Sequence, residues 1–276
     1  MTDSVPPPLP PEERATLPDG LRFAFGTLTV LPARITRWDR PAARTGMLCA
    51  PAAGLTVGLL AAATGTVLLF LGVGPLLAAV VTAAVPAALT RGLHLDGLAD
   101  TADGLGSAKP AEAALRIMKQ SDIGPFGVIA VVVGLLAQTA ALFELFGESW
   151  LRGALAVTVA ATAARLALTL ASRSGVPAAR PEGLGAAVAG VVPRGPALAL
   201  AALVVLAAAA AALPLGPAGA LRHAGAVLAA LVVGELVLRR CVGRFGGVTG
   251  DVFGAVAETS ATTALIVLTL GGPAAA

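Results

Sequence analysis

LCAPAAGLTVGLLAAATGTVLLFL, residues 48–71, runs without one charged side chain. As a single helix at ~1.5 Å per residue it is long enough to cross the hydrocarbon core of a bilayer. Six further stretches have the same character: 75–93, 123–143, 151–171, 197–213, 224–238 and 252–271. Composition agrees. Hydrophobic residues make up 57% of the 276 and charged residues 13%, against roughly 25% charge in soluble domains, and mean hydropathy is +0.86. The expected fold is all-α, a polytopic membrane bundle of about seven transmembrane helices with the N-terminus cytoplasmic.

That orientation follows from charge. With seven crossings, sixteen of the nineteen Lys and Arg fall on the N-terminal side of the membrane, and only Arg152 and Arg222 fall in loops on the other. Cytoplasmic loops carry such an excess, so the polar stretches 34–44, 91–122, 173–194 and 239–258 face the cytoplasm. Trp38 and Trp150 stand beside span ends, as interfacial aromatics do. Residues 1–20 are Pro-rich and lack a basic segment followed by an apolar one; they read as a disordered or extended tail rather than a signal peptide. Residues 21–276 then form one transmembrane catalytic domain. The basic residues form no compact tract and no zinc-finger spacing, so nucleic-acid binding is excluded as a function class despite a pI near 9.5. Cys49 and Cys241 are too far apart in sequence, and too apolar in setting, for a disulfide or metal framework.

Against this background RGLHLDGLADTADGLGS, residues 91–107, concentrates acid. Continued as a helix from the second span, it stacks Asp96, Asp100 and Asp103 at i, i+4 and i+7 on one face. Like charges so placed repel, and acids in or beside a span are expensive and usually functional. Oxygen-only ligands suit a hard cation. Mg²⁺ shared with a substrate phosphate is the expectation, and His94 alone is too little for zinc. A second acidic pair, Asp251 and Glu258, follows a glycine-rich turn with Gly246, Gly247 and Gly250, whose backbone N–H groups suit an anion. Arg91, Arg116, Lys119, Ser121, Asp122 and Arg180 are the candidate phosphate-binding residues. Arg116 and Lys119 fit equally well as ordinary cytoplasmic charge. Arg165, alone in mid-span, is expected to point inward toward an acid, with Glu235 as its candidate partner. Metal-assisted phosphoryl-group transfer is the chemistry these residues suit best.

HLDGLADTADGL (94–105), RIMKQSDIGPFGV (116–128), RPEGLGAA (180–187) and GGVTGDVFGAVAE (246–258), in that order, resemble the cobalamin synthase family. The stretch FGTLTVLPAR (25–34) is similar to the family's N-terminal motif. The resemblance covers about residues 20–265. It implies an inner-membrane enzyme that joins adenosylcobinamide-GDP to α-ribazole, or its 5′-phosphate, and releases GMP with Mg²⁺ required. It also implies that His94, Asp96, Asp100 and Asp103 form the metal and catalytic block, with Lys119, Asp251 and Glu258 next. His94 is left as either general base or hydrogen-bonded support. One departure is Gln120, where the family pattern carries an acid; Asp122 stands two positions later. The acidic spacing is also similar to that of CDP-alcohol phosphotransferases, without their Ala-Arg pair. A cation-coupled transporter is disfavoured, because the acids gather at one face and no inverted repeat of broken segments is present. Small-xxx-small pairs such as Gly54/Gly58 suit close helix approach, within the chain or between copies; at this Ala and Gly content they arise by chance and leave homo-oligomerisation open.

Overall fold

The computed structural model describes residues 14–271, and the order of elements is α1 (Leu17–Leu28), α2 (Arg40–Phe70), α3 (Pro75–Leu89), α4 (Leu93–Gly106), α5 (Ala111–Ile117), α6 (Pro125–Glu148), α7 (Trp150–Ala171), α8 (Leu184–Val188), α9 (Arg194–Ala211), α10 (Gly216–Phe245) and α11 (Gly250–Thr269). Six of the long apolar helices can each cross a membrane, and α3 with α4 makes a seventh if that bent pair counts as one span. The fold is a multi-pass membrane helix bundle. Each of the seven expected spans coincides with a helix. Several run further than the apolar stretch predicts. α2 starts at Arg40 and α10 continues to Phe245, because helices carry on past the hydrocarbon where long Arg side chains reach the interface. The helix α1 begins inside the expected tail. Thr16 and Asp19 cap it reciprocally, Thr16 N–H donating to Asp19 Oδ2 at 2.9 Å. Residues 1–13 of that tail lie outside the described residues.

One sequence expectation is corrected here. Residues 93–105 do form a helix, but not a continuation of the second span: α3 and α4 meet at 87°. Thr90 turns its N–H and its hydroxyl onto Pro86 O. Gly92 N–H then reaches back to Ala87 O at 2.8 Å, with Arg91 at φ 53° and Gly92 at φ 70°. A left-handed glycine closing such a loop is the usual stop for a helix. The signal was Gly92 itself, masked by the absence of proline. The bend lifts the acidic segment out of line with the spans and lays it across the start of α11.

Glycines set how closely the helices approach. A Cβ on Gly58 would lie 2.7 Å from Thr158 Cα, and one on Gly54 2.5 Å from Ala161 O. The Gly54/Gly58 pair is therefore the α2–α7 crossing, inside one chain. At the α4–α11 crossing, a Cβ on Gly97 would stand 2.7 Å from Asp251 O, and one on Gly254 2.8 Å from His94 O. Backbone packed on backbone fixes the register of the acidic residues on the two helices.

Candidate functional site

A cavity of about 300 Å³ lies at the end of the bundle where α2 and α11 begin. His94 and Asp96 line it from α4. Arg180 and the Gly183–Gly185 turn line it from the α7–α8 connection, and Thr249–Asp251 from the start of α11. The connection is held by short backbone bridges. Ser174 N–H donates to Val192 O at 2.7 Å, and Ala179 N–H to Val248 O at 2.9 Å. Gly247 serves this packing, since a Cβ there would strike Ala178 and Ala179 backbone.

The three aspartates of α4 do not share one fate. Asp96 is exposed, and it forms a wall both of this cavity and of a second, more open one of about 650 Å³ beside Arg91. Asp100 is half-buried and electrostatically faces Asp251, Asp96 and Asp103, with Arg180 as its opposing charge. Asp103 is buried and turned to the start of α6, accepting from Gly124 N–H at 2.7 Å and Gly127 N–H at 3.0 Å. Asp251 accepts from the Thr249 hydroxyl at 3.1 Å, with Arg180 Nη1 4.0 Å away. Arg180 is itself steadied by donating to Leu115 O.

A buried polar chain supports this rim. Arg165 Nη2 lies 3.3 Å from His94 Nδ1. A guanidinium has no acceptor, so it donates, and the neutral ring then carries its proton on Nε2. That Nε2 is buried without a partner among the described residues, and His94 borders the cavity. The acid within electrostatic reach of Arg165 is Glu258. The expected partner Glu235 instead binds Arg173 at 2.8 Å and Arg239 at 2.7 Å. Glu258 in turn accepts from Gln138 Nε2 at 3.0 Å. Sequence reasoning missed Gln138, although a lone amide inside an apolar span was the available sign. It also missed Thr249, which caps α11 by accepting from Val252 N–H and orients Asp251.

The remaining candidates stand further off. Arg116 is exposed and pairs with Glu112 at 2.5 Å, and Lys119 lies 3.8 Å from Glu182. Ser121 and Asp122 are exposed on the connection to α6. Arg91 lines only the open cavity beside Asp96.

Among the described residues no three His, Cys, Asp or Glu stand close enough to make a metal site from protein ligands alone. Mg²⁺ is usually held by one or two carboxylates together with substrate phosphate oxygens. Carboxylates split between α4 and α11, Asp96 and Asp251 lining one cavity, fit that ion in this shared form.

Asp103 makes a prediction on stability. Asp103→Ala leaves two N–H donors at the start of α6 without an acceptor, at a cost of about 2–4 kcal/mol. Thermal unfolding of the purified variant in detergent is expected to fall by several degrees; an unchanged midpoint would show those bonds contribute nothing.

The Cobalamin-5-phosphate synthase family profile matches residues 20–269. The chain is 44% identical over 265 residues to an adenosylcobinamide-GDP ribazoletransferase of Frankia casuarinae, spanning 91% of this chain and 95% of that protein. It is 41% identical to the protein of that name from Nocardioides sp., over 90% of this chain and 97% of the relative. A Brevibacillus brevis protein of the same name is 32% identical over 89% and 95%. No solved structure matches. The profile runs from within α1 to the end of α11, taking in every residue that lines the cavity, and the chain belongs to the Cobalamin-5-phosphate synthase family.

Proposed function

We propose that this chain joins adenosylcobinamide-GDP to α-ribazole, or to its 5′-phosphate, releasing GMP. The observation that carries the reading is the meeting of Asp96, Asp251 and Arg180 around one cavity, with Asp100 in electrostatic reach of all three, next to a second cavity that shares the Asp96 wall. A two-substrate transfer needs two binding volumes that touch at the reacting atoms. The small inner cavity suits a phosphate–sugar portion, at the low end of ligand-sized clefts. The bulk of a corrinoid has to remain outside it.

In this reading Asp96 and Asp100 would hold Mg²⁺, shared with the substrate diphosphate, and Asp251 completes the acidic rim. The bound ion supplies charge neutralisation at the transferring phosphorus and at the leaving phosphate. Arg180 adds a fixed positive charge on the α11 side. The ribose hydroxyl forms its bond to the phosphorus linked to cobinamide, the bridging bond to GMP breaks, and the hydroxyl proton leaves to a carboxylate of the rim. His94, with Nδ1 occupied by Arg165, acts as an Nε2–H donor to a substrate oxygen rather than as the base. Asp103 is assigned to anchoring α6, and Lys119 and Arg116 to the outer approach. The charge count supports a cytoplasmic N-terminus in a bacterial inner membrane, which puts the cavity on the cytoplasmic side; a reporter fused between residues 173 and 194 that reads as external would overturn that orientation.

The test uses purified protein in liposomes with adenosylcobinamide-GDP, α-ribazole and Mg²⁺, following GMP and the corrinoid product by chromatography. Equal amounts of both, abolished by EDTA, are expected. Folded protein that makes neither product, but turns over a CDP-alcohol, would replace the reading with headgroup transfer.

A further inference from the structure

A separate groove of about 680 Å³ lies on the other side of α8 from the candidate site. Residues 183–185 and Val188 line the acidic cavity, whereas Gly190 and Val191 line this one. Three arginines converge on it: Arg14 from the extended lead-in to α1, and Arg40 and Arg44 from the first turns of α2. Arg40 and Arg44 are four apart and share a helix face. Among the described residues no carboxylate lines the groove. Glu12 and Glu13, next to Arg14 in sequence, lie outside the described residues; Asp39, next to Arg40, is taken up by Ala42 N–H at 2.8 Å and by Arg37 at 2.8 Å. Arg40 donates to Ala189 O at 3.3 Å. Arg14 and Arg44 have no ion pair among the described residues.

Positive charge at the start of a spanning helix is ordinary, but ordinary charge is spread out and reaches solvent separately. Here three guanidinium-bearing side chains border one volume with a backbone wall behind it. A planar guanidinium fits a phosphate with two parallel hydrogen bonds, and like charges this close favour an anion between them. Trp38, two residues before Arg40, is exposed and packed on Phe23 with ring centroids 5.1 Å apart, and aromatic side chains of this kind gather where spans meet headgroups.

We infer that Arg14, Arg40 and Arg44 form a second phosphate-binding site, distinct from the acidic cavity, for a phosphate-bearing anion at the membrane interface. The phosphate is carried either by an anionic phospholipid or by a soluble ester, and the site does not depend on the proposed transfer reaction.

Two arms separate the sources. In one, the full chain in phosphatidylcholine nanodiscs is titrated with inorganic phosphate at constant ionic strength, following tryptophan fluorescence. In the other, nanodiscs also contain phosphatidylglycerol, and native mass spectrometry counts the molecules retained. Wild type is expected to show saturable binding in at least one arm. Arg14→Gln/Arg44→Gln is expected to weaken it at least tenfold, while Arg222→Gln, at the far end of the bundle, leaves it unchanged. Retention of phosphatidylglycerol without a phosphate response identifies a lipid site, and the converse a soluble ester. Should the double variant not fold, Arg44→Lys keeps the charge, loses the fork and is expected to bind several-fold more weakly. Absence of saturable binding to wild type in both arms overturns the inference, and so does equal binding by wild type and the groove variants.

Discussion

Asp96→Asn/Asp100→Asn is expected to lower the rate of GMP release by at least about 10³-fold while the protein stays folded. Both substitutions preserve size and leave a group able to hydrogen-bond, so the change is one of charge. Asp96 is exposed at the junction of the two cavities, and Asp100 sits among like-charged neighbours with Arg180 opposite. Neither residue holds a backbone turn as Asp103 does, so the amides remove nothing the bundle leans on. Relieving the crowding of carboxylates should raise the unfolding temperature slightly. The catalytic cost has a different origin. Charge neutralisation by a bound metal contributes several kcal/mol at a phosphoryl transition state, and about 4 kcal/mol corresponds to about 10³-fold in rate. Initial rates and thermal unfolding of the same preparation check both halves. A folded double variant within tenfold of wild type would remove the acidic rim from the mechanism.

Much of this was legible in the sequence because the bilayer leaves few choices. Uncharged stretches of about twenty residues became helices, and of the acids that interrupt them Asp96, Asp100 and Asp251 lie within electrostatic reach of one another. What could not be read was direction. The stack of Asp96, Asp100 and Asp103 on one face assumed a straight helix in a uniform setting. In the structure α6 starts beside Asp103 and takes both its oxygens, which no property of 91–107 alone announces. Arg165 was correctly expected to face inward, yet its acid is Glu258 rather than Glu235. Choosing between two acids on different helices depends on how α10 and α11 each pack on α7. That is set by close glycine contacts such as Gly234 against Ser260 and Gly54 against Arg165, whose partners the sequence does not name. Gly54 and Gly58 were equally ambiguous, since the pattern that packs α2 on α7 within the chain is the same one that pairs two chains.

Those glycine contacts yield the sharpest test of geometry apart from chemistry. Gly97→Ala is expected to cut transfer about 10²-fold at a stability cost of no more than about 2 kcal/mol. Gly97 carries no functional group and stands between Asp96 and Asp100 on α4. A Cβ there would lie 2.7 Å from Asp251 O and 3.0 Å from its Cα. Both are backbone atoms of a helix end capped by Thr249, so no flexible side chain can swing aside and the two helices must part. Overpacking of this kind costs about 1–3 kcal/mol, but alanine in place of a helical glycine returns about 1 kcal/mol. The net stability change is therefore about 2 kcal/mol at most. The separation falls between Asp251 on one side and Asp96 with Asp100 on the other, the two halves of the rim that must meet one phosphate. A displacement near 1 Å at reacting groups costs about 10²-fold. Gly254→Ala, which meets His94 O and Gly97 Cα at the same crossing, should behave alike. If the variant folds and retains full activity, the two acidic halves do not act on a common substrate, and the residues of α11 fall outside the active site.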